Sequence, residues 1–238
     1  MKTRHLTLAL LALLCLVLGG CRRRTVMEHV RIMVSEHVDT THYAHRAYTL
    51  PPFQSIDAAC FADFTFHQTA PDSKPRVEVW APRELLGDMK VSVVNGELRF
   101  ILDRSGETAH REMPVIHIHA PFVYHFGLHS VKCLRLGHLA ISTPLSIEVE
   151  GVGLCTAASL KAPEVQLTVS GAGTVRTDSL LTPRLAIHGA GSADITLGGL
   201  QVDQCDARRA GACQVEASGR IGQLNKRLSG ASSFHLTP

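Results

Sequence analysis

The sequence predicts an all-β protein in which a hairpin-rich part precedes a solenoid of about five coils, each 18–21 residues long. Three observations lead there. Runs such as Arg76–Trp80, Lys90–Val94 and Pro114–Ala120 alternate apolar and polar residues, the period of a strand with one buried face. From residue 50 onward no helical stripe is present, and Pro82–Leu86 allows one short turn. A seven-residue unit, apolar-x-Gly-x-Gly-x-apolar, recurs through the second half.

The chain opens with Lys2, Arg4 and His5, then 13 uncharged residues from Leu6 to Leu18. A helix needs roughly 20 apolar residues to cross a bilayer, so the segment has the form of a secretory signal. Leu18-Gly19-Gly20-Cys21 places two small residues before a cysteine and resembles the lipobox of bacterial lipoproteins. That resemblance implies that residues 1–20 are removed and that Cys21 carries lipid, anchoring the mature chain to a membrane, with the outer membrane favoured. Arg22, Arg23 and Arg24 run against it, because positive charge beyond an apolar run normally stays cytoplasmic. On an anchored chain these arginines lie near lipid head groups. Residues 21–50 read as a tether. Val26, Val30, Met33 and Val34 have helical spacing while Val30, Ile32 and Val34 alternate, so periodicity leaves its structure undecided.

Residues 51–108 form the hairpin-rich part, where Asn95-Gly96 joins Lys90–Val94 to Glu97–Leu102 with a tight-turn signal. Residues 109–238 carry the repeats. The unit appears at Val149–Cys155, Val169–Val175 and Ile187–Ala193, with degenerate copies at Ala207–Cys213 and Leu228–Phe234. Its starts are 20, 18, 20 and 21 residues apart, and Ile147, Leu167, Leu185 and Cys205 precede the units at a fixed offset. Such a coil cannot bury its own apolar face, so it stacks on the next at the ~4.8 Å strand spacing. Gly151, Gly153, Gly171, Gly173, Gly189, Gly191, Gly211 and Gly230 are then structural, serving bends or close backbone approach. Cys155, Val175, Ala193, Cys213 and Phe234 are expected to share one inward column. An antiparallel sandwich with glycine-rich turns is the competing architecture.

Without residues 1–20 the chain has 22 basic and 21 acidic residues, which leaves no electrostatic footprint for nucleic acid. Of seven cysteines, Cys15 leaves with the signal and Cys21 is the lipid site. Cys60, Cys133, Cys155, Cys205 and Cys213 are an odd number without zinc spacing and read as buried thiols, a Cys205–Cys213 bridge being the alternative.

SGAG and HGAG at this spacing, each followed by an alternating strand, resemble the GIN-domain proteins, a family labelled auto-transporter adhesin heads. PPFQSIDAACFADFTFHQ and RVEVWAPRELLGDMKVSVVNGELRFIL are similar to that family's opening, and IHIHAPFVYHFGLHSVKCLRL to its transition into the coils. The resemblance covers about residues 52–237 and implies a right-handed parallel β-helix in two β-rich parts; many members begin with a lipoprotein signal. Arg208-Arg209-Ala210-Gly211 and Ser232 depart from the repeat, which implies looser or differently bent coils there.

Sites that carry chemistry are scarce. His117 and His119 share one face of a strand, with His125, His129 and His138 nearby, and imidazole is a common transition-metal ligand. No acidic residue or cysteine completes a set by spacing, so no metal and no cofactor are expected and this pair is the weak candidate. No nucleophile motif is present, and the Gly-Ala-Gly segments lack the helix that a phosphate loop needs. Glu148, Glu150, Glu164, Asp178, Asp194 and Asp206 scatter over several coils. The sequence therefore reads as a non-enzymatic envelope binding, adhesion or scaffolding module for a glycan or envelope protein. Its expected surface comprises Thr168, Arg176, Asp178, His188 and Asp194. The alternative is a carbohydrate-active β-helix enzyme, a lyase or hydrolase, which needs converging acidic or basic groups.

Overall fold

The computed structural model describes residues 40–102 and 113–238; Leu6–Leu18, Cys21 and Arg22–Arg24 lie outside the described residues. The described part belongs to one compact unit starting at Val38. Its strands are β1 (Ala44–Thr49), β2 (Ser55–Ala58), β3 (Asp63–Gln68), β4 (Arg76–Ala81), β5 (Met89–Val94), β6 (Glu97–Leu102), β7 (Val115–Ala120), β8 (His125–His129) and β9 (Cys133–Ala140). The long strands β10 (Leu145–Lys161), β11 (Glu164–Thr177), β12 (Leu180–Gly191), β13 (Asp194–Gly211) and β14 (Gln214–Leu228) follow, then β15 (Ser233–Thr237). Helix α1 spans Arg83–Asp88, beginning right after Pro82 and burying Leu85 and Leu86. The expected short turn is a single short helix.

The long strands pair in parallel with their sequence neighbours and wind through three faces per coil. The first face holds Leu145–Gly151 and its successors, the second Leu154–Ala157, and the third Leu160–Lys161. About six turns are present rather than five. The additional one is built by β8 and β9, which lie under β10 with no Gly-x-Gly unit to announce them. The hairpin-rich part continues the same stack. On the first face β6, β2 and β8 are parallel neighbours, and on the second β7, β3 and β9 are. Antiparallel β5 on β6, and β4 then β1 on β7, finish that end. At the β5–β6 turn Asn95 and Gly96 both have positive φ, +52° and +77°, the twist that a two-residue hairpin requires.

Inward positions form ladders of like residues. Leu145, Val165, Leu185 and Cys205 stack rung on rung, as do Ile147, Leu167, Ile187 and Ala207, all buried. Each such Leu, Ile or Val contributes about 1.5–3 kcal/mol by burial. At the hairpin-rich end aromatics fill the interior, with Phe64 edge-on to Phe100 and Phe66 edge-on to Phe126, both at 5.2 Å.

The register corrects the expected repeat alignment. Gly171 stacks on Gly191, while Gly189 stacks on Val169. The bend column is Gly151, Gly171, Gly191, Gly211 and Gly230, with φ from +71° to +93°. Its members recur at a constant step as far as Gly211, and Gly230 comes one position early. The shorter step expected before Ile187 comes from matching HGAG to SGAG out of register by two. A slip of two keeps every side chain on its face, so the apolar pattern cannot detect it. For the same reason Cys155 and Val175 continue into Ile195, Val215 and Phe234, not Ala193 and Cys213. Leu185 and Cys205 likewise stack with Leu145 rather than with Ile147. Gly153, Gly173 and Gly189 have no positive φ; at Gly173 a Cβ would meet Val169 Cγ1 at 2.8 Å, so that position is small for packing.

Arg209 fills an inward position, stacked on Gly189, and is buried. Its Nη1 donates to the Cys213 carbonyl at 3.4 Å, its guanidinium lies 5.4 Å from the Phe234 ring, and Nε and Nη2 have no hydrogen-bond partner. A Cβ on Gly189 would come within 3.1 Å of Arg209 Cδ, so the missing side chain on one rung gives room to the arginine on the next. Cys60, Cys133, Cys155, Cys205 and Cys213 are free and buried.

Candidate functional site

The outward faces carry the polar residues, and the register sorts the expected surface among them. Thr168 and His188 share a first-face column with Glu148, Arg208 and Arg227. Arg176 belongs to a second-face column made by Arg135, Thr156, Arg176, Thr196, Glu216 and His235. Asp194 is on that second face, paired with Thr174 and Gln214. Asp178 sits past the end of the face, its N–H donating to Ala157 O at 3.0 Å. The five residues therefore divide between two faces and a corner and do not form one patch.

Glu164, Asp178, Asp194 and Asp206 do not converge either. Glu164 pairs with Arg184 at 3.3 Å and Asp206 with Arg208 at 3.1 Å. Asp178 stacks beside Gly198, four strand positions from Asp194, so the two carboxylates attach roughly 13 Å apart along the strand direction. An open groove of about 1320 Å³ runs along the third side past Ala162, Thr182, Val202 and Ile221, and its lining mixes such small and apolar residues with Lys161, Asp203 and Arg220. Burial pushes the Cys60 thiol up to about 12 and the Cys133 and Cys205 thiols up to about 11, which keeps them protonated and unreactive.

Side chains with ligand chemistry do assemble at the antiparallel end of the second face. Ile116 and Ile118 point inward and are fully buried, as their alternation predicts, leaving His117 and His119 on the outer side. Parallel pairing sets His67 opposite His119, and antiparallel pairing sets Glu78 opposite His117. His67 Nε2 is 3.3 Å from His117 Nδ1, and the three imidazoles offer ligand atoms within 4.8 Å of one another. His119 Nε2 is 3.4 Å from Glu78 Oε2, yet it is buried without a well-aligned hydrogen bond. Trp80 meets His117 edge-on at 4.9 Å and His45 stacks on Trp80 at 4.6 Å. Burial first, and then the neighbouring His67, hold His117 and His119 below the ordinary histidine value, against the opposing pull of Glu78. Neutral imidazoles are the ligand-competent form.

Sequence reasoning found His117 and His119 but missed His67 and Glu78, which lie well upstream on the separate strands β3 and β4. Only the pairing of β3 and β4 with β7 brings them in. Of the other histidines, His129 lies between Asp57 at 3.3 Å and Glu150 at 3.0 Å, on the first face.

No curated protein matches the chain. Among solved structures, a "putative adhesin" from Bacteroides fragilis is 20% identical, with a TM-score of 0.70 over 83% of this chain and 97% of that one. A "putative adhesin" from Parabacteroides distasonis is 12% identical with a TM-score of 0.49 over 82% and 96%. A "putative lipid binding protein" from the same organism is 14% identical with a TM-score of 0.43 over 83% and 98%. Residues 52–237 match the family described as "Putative auto-transporter adhesin, head GIN domain", and the chain belongs to that GIN-domain family.

Proposed function

We propose that the protein is a non-enzymatic binding module of the cell envelope, held to a membrane through lipid on Cys21. The observation that carries this reading is the pair of polar columns on the first and second faces, repeating coil after coil. Groups repeated at ~4.8 Å suit many weak contacts to a repeating polymer or a partner protein. Catalysis on a polysaccharide would instead need an enclosed site with two carboxylates at a set separation.

Glycan and protein arrays probed with residues 22–238 test the reading. Weak binding is expected, rising when the fragment is clustered on a surface and falling when Arg176 and Arg208 are both changed to Glu. Polysaccharide cleavage that disappears on mutation of one Asp or Glu would replace this reading with the enzymatic one. Anchoring is tested separately. Cys21→Ser is expected to abolish lipid labelling and release the protein from the membrane fraction. If the variant stays with membranes through its first 20 residues, the segment is an uncleaved anchor.

A further inference from the structure

We infer that His67, His117 and His119 form a binding site for one divalent transition-metal ion of the zinc type, with Glu78 as a neighbouring oxygen donor. Two imidazole nitrogens on one tetrahedral zinc, with bonds of ~2.0–2.1 Å, lie roughly 3.3–3.4 Å apart. His67 Nε2 and His117 Nδ1 are 3.3 Å apart already. The third imidazole is inside the same 4.8 Å cluster, so a modest turn of the ring closes the set. The His67 and His119 rings stack at 4.7 Å with 15° between planes, and metal binding must tilt them toward a common centre.

Two further features support the site. His119 Nε2 is a buried polar atom with no well-aligned hydrogen bond, and Glu78 Oε2 stands 3.4 Å from it. A carboxylate there either joins the ligand set or orients the ring, as metal-bound histidines require. The donors also stand on a fixed floor. Val77, Val79, Ile116, Ile118, Phe64 and Phe66 lie inward of the same three strands, all buried, so the backbone positions are held before any ion arrives. Nitrogen donors select a zinc-type ion over magnesium or calcium. Arg76 Nη2, 3.3 Å from Glu78 Oε1, competes for the carboxylate, which makes the imidazoles the principal ligands. With His67 exposed, a fourth position stays open to water or to a group on a bound partner.

The test uses untagged full-length protein in detergent, titrated with Zn²⁺ alone in a calorimeter and with Co²⁺ in a spectrometer. One ion per chain is expected, with a tetrahedral Co²⁺ spectrum lacking a thiolate charge-transfer band. His67→Ala, His117→Ala and His119→Ala should each weaken binding by about tenfold or more, and His138→Ala, an exposed histidine outside the cluster, should leave it unchanged. Circular dichroism reports whether each variant is folded, and His67→Gln is the replacement should His67→Ala misfold. Absence of Zn²⁺ binding, or binding equal in all folded variants, overturns the inference.

Discussion

Gly171→Val is expected to destabilise the coil stack by about 3–5 kcal/mol, the combined effect of backbone strain and a steric clash. At φ +86° a β-branched residue is strained before any neighbour is considered. A Cβ would in addition lie 2.7 Å from the Gly151 carbonyl oxygen and 3.0 Å from Gly151 Cα, and backbone cannot swing aside as a side chain can. Either the rungs separate or the bend reshapes, and both break the ladder. Gly189→Val should cost less, since its φ is not positive and the atoms it meets at 3.1 Å are Arg209 Cδ and Cys213 Sγ. Ser232→Val loses hydroxyl hydrogen bonds to Gly211 O and Ser229 O, worth about 1 kcal/mol. Gly137→Ala meets nothing within 4 Å and is the control. Urea midpoints measure the series, and equal losses at 137 and 171 would show that the bend column is not what holds the coils in register.

Arg135→Ala is expected to cost about 2–4 kcal/mol, because it strands a buried carboxylate. Asp63 and Arg135 form a close ion pair across β3 and β9, with the Asp63 side chain 6% exposed and that of Arg135 40% exposed. The exposed end can regain water when the pair breaks, but the buried carboxylate cannot. Asp63→Asn in the Arg135→Ala background should recover part of the loss, since a neutral amide is cheaper to leave buried. Thermal or urea unfolding of the two single variants and the double variant closes the cycle. Additive losses would mean that the pair contributes no coupling.

The solenoid was legible because its evidence is local and repeated. Val165, Leu167 and Val169 alternate with polar residues on one strand, and the same pattern returns one coil later. Two things were not legible. The register of HGAG against SGAG was ambiguous, since a two-residue slip preserves the faces and only backbone conformation at Gly191 against Gly189 decides it. The first coil, β8 and β9, was hidden because Ser130 occupies the bend position with φ +54°, where later coils place glycine. The histidine cluster was half visible. A single strand displays His117 and His119, but His67 and Glu78 arrive by pairings that no spacing rule encodes.

The order of strands also dictates how the chain can assemble. From Leu145 onward each rung finds its partner in the very next coil, as Val165 does with Leu185, so coils can be laid down one after another. Strand β3 instead lies between β7 and β9, and Asp63 must wait for Val115 and for Cys133, several strands further down the chain. Loop closure costs only about 0.6 kcal/mol more for each doubling of loop length, so stability is little affected. The rate is another matter, because distant pairings slow the search for the native state. The two ends of the stack are thus kinetically unlike. The interleaved end forms cooperatively, since β3, β7 and β9 each depend on the others for a partner. The far end, whose last rung replaces the inward Ala207 with Lys226, can zip and unzip by single coils.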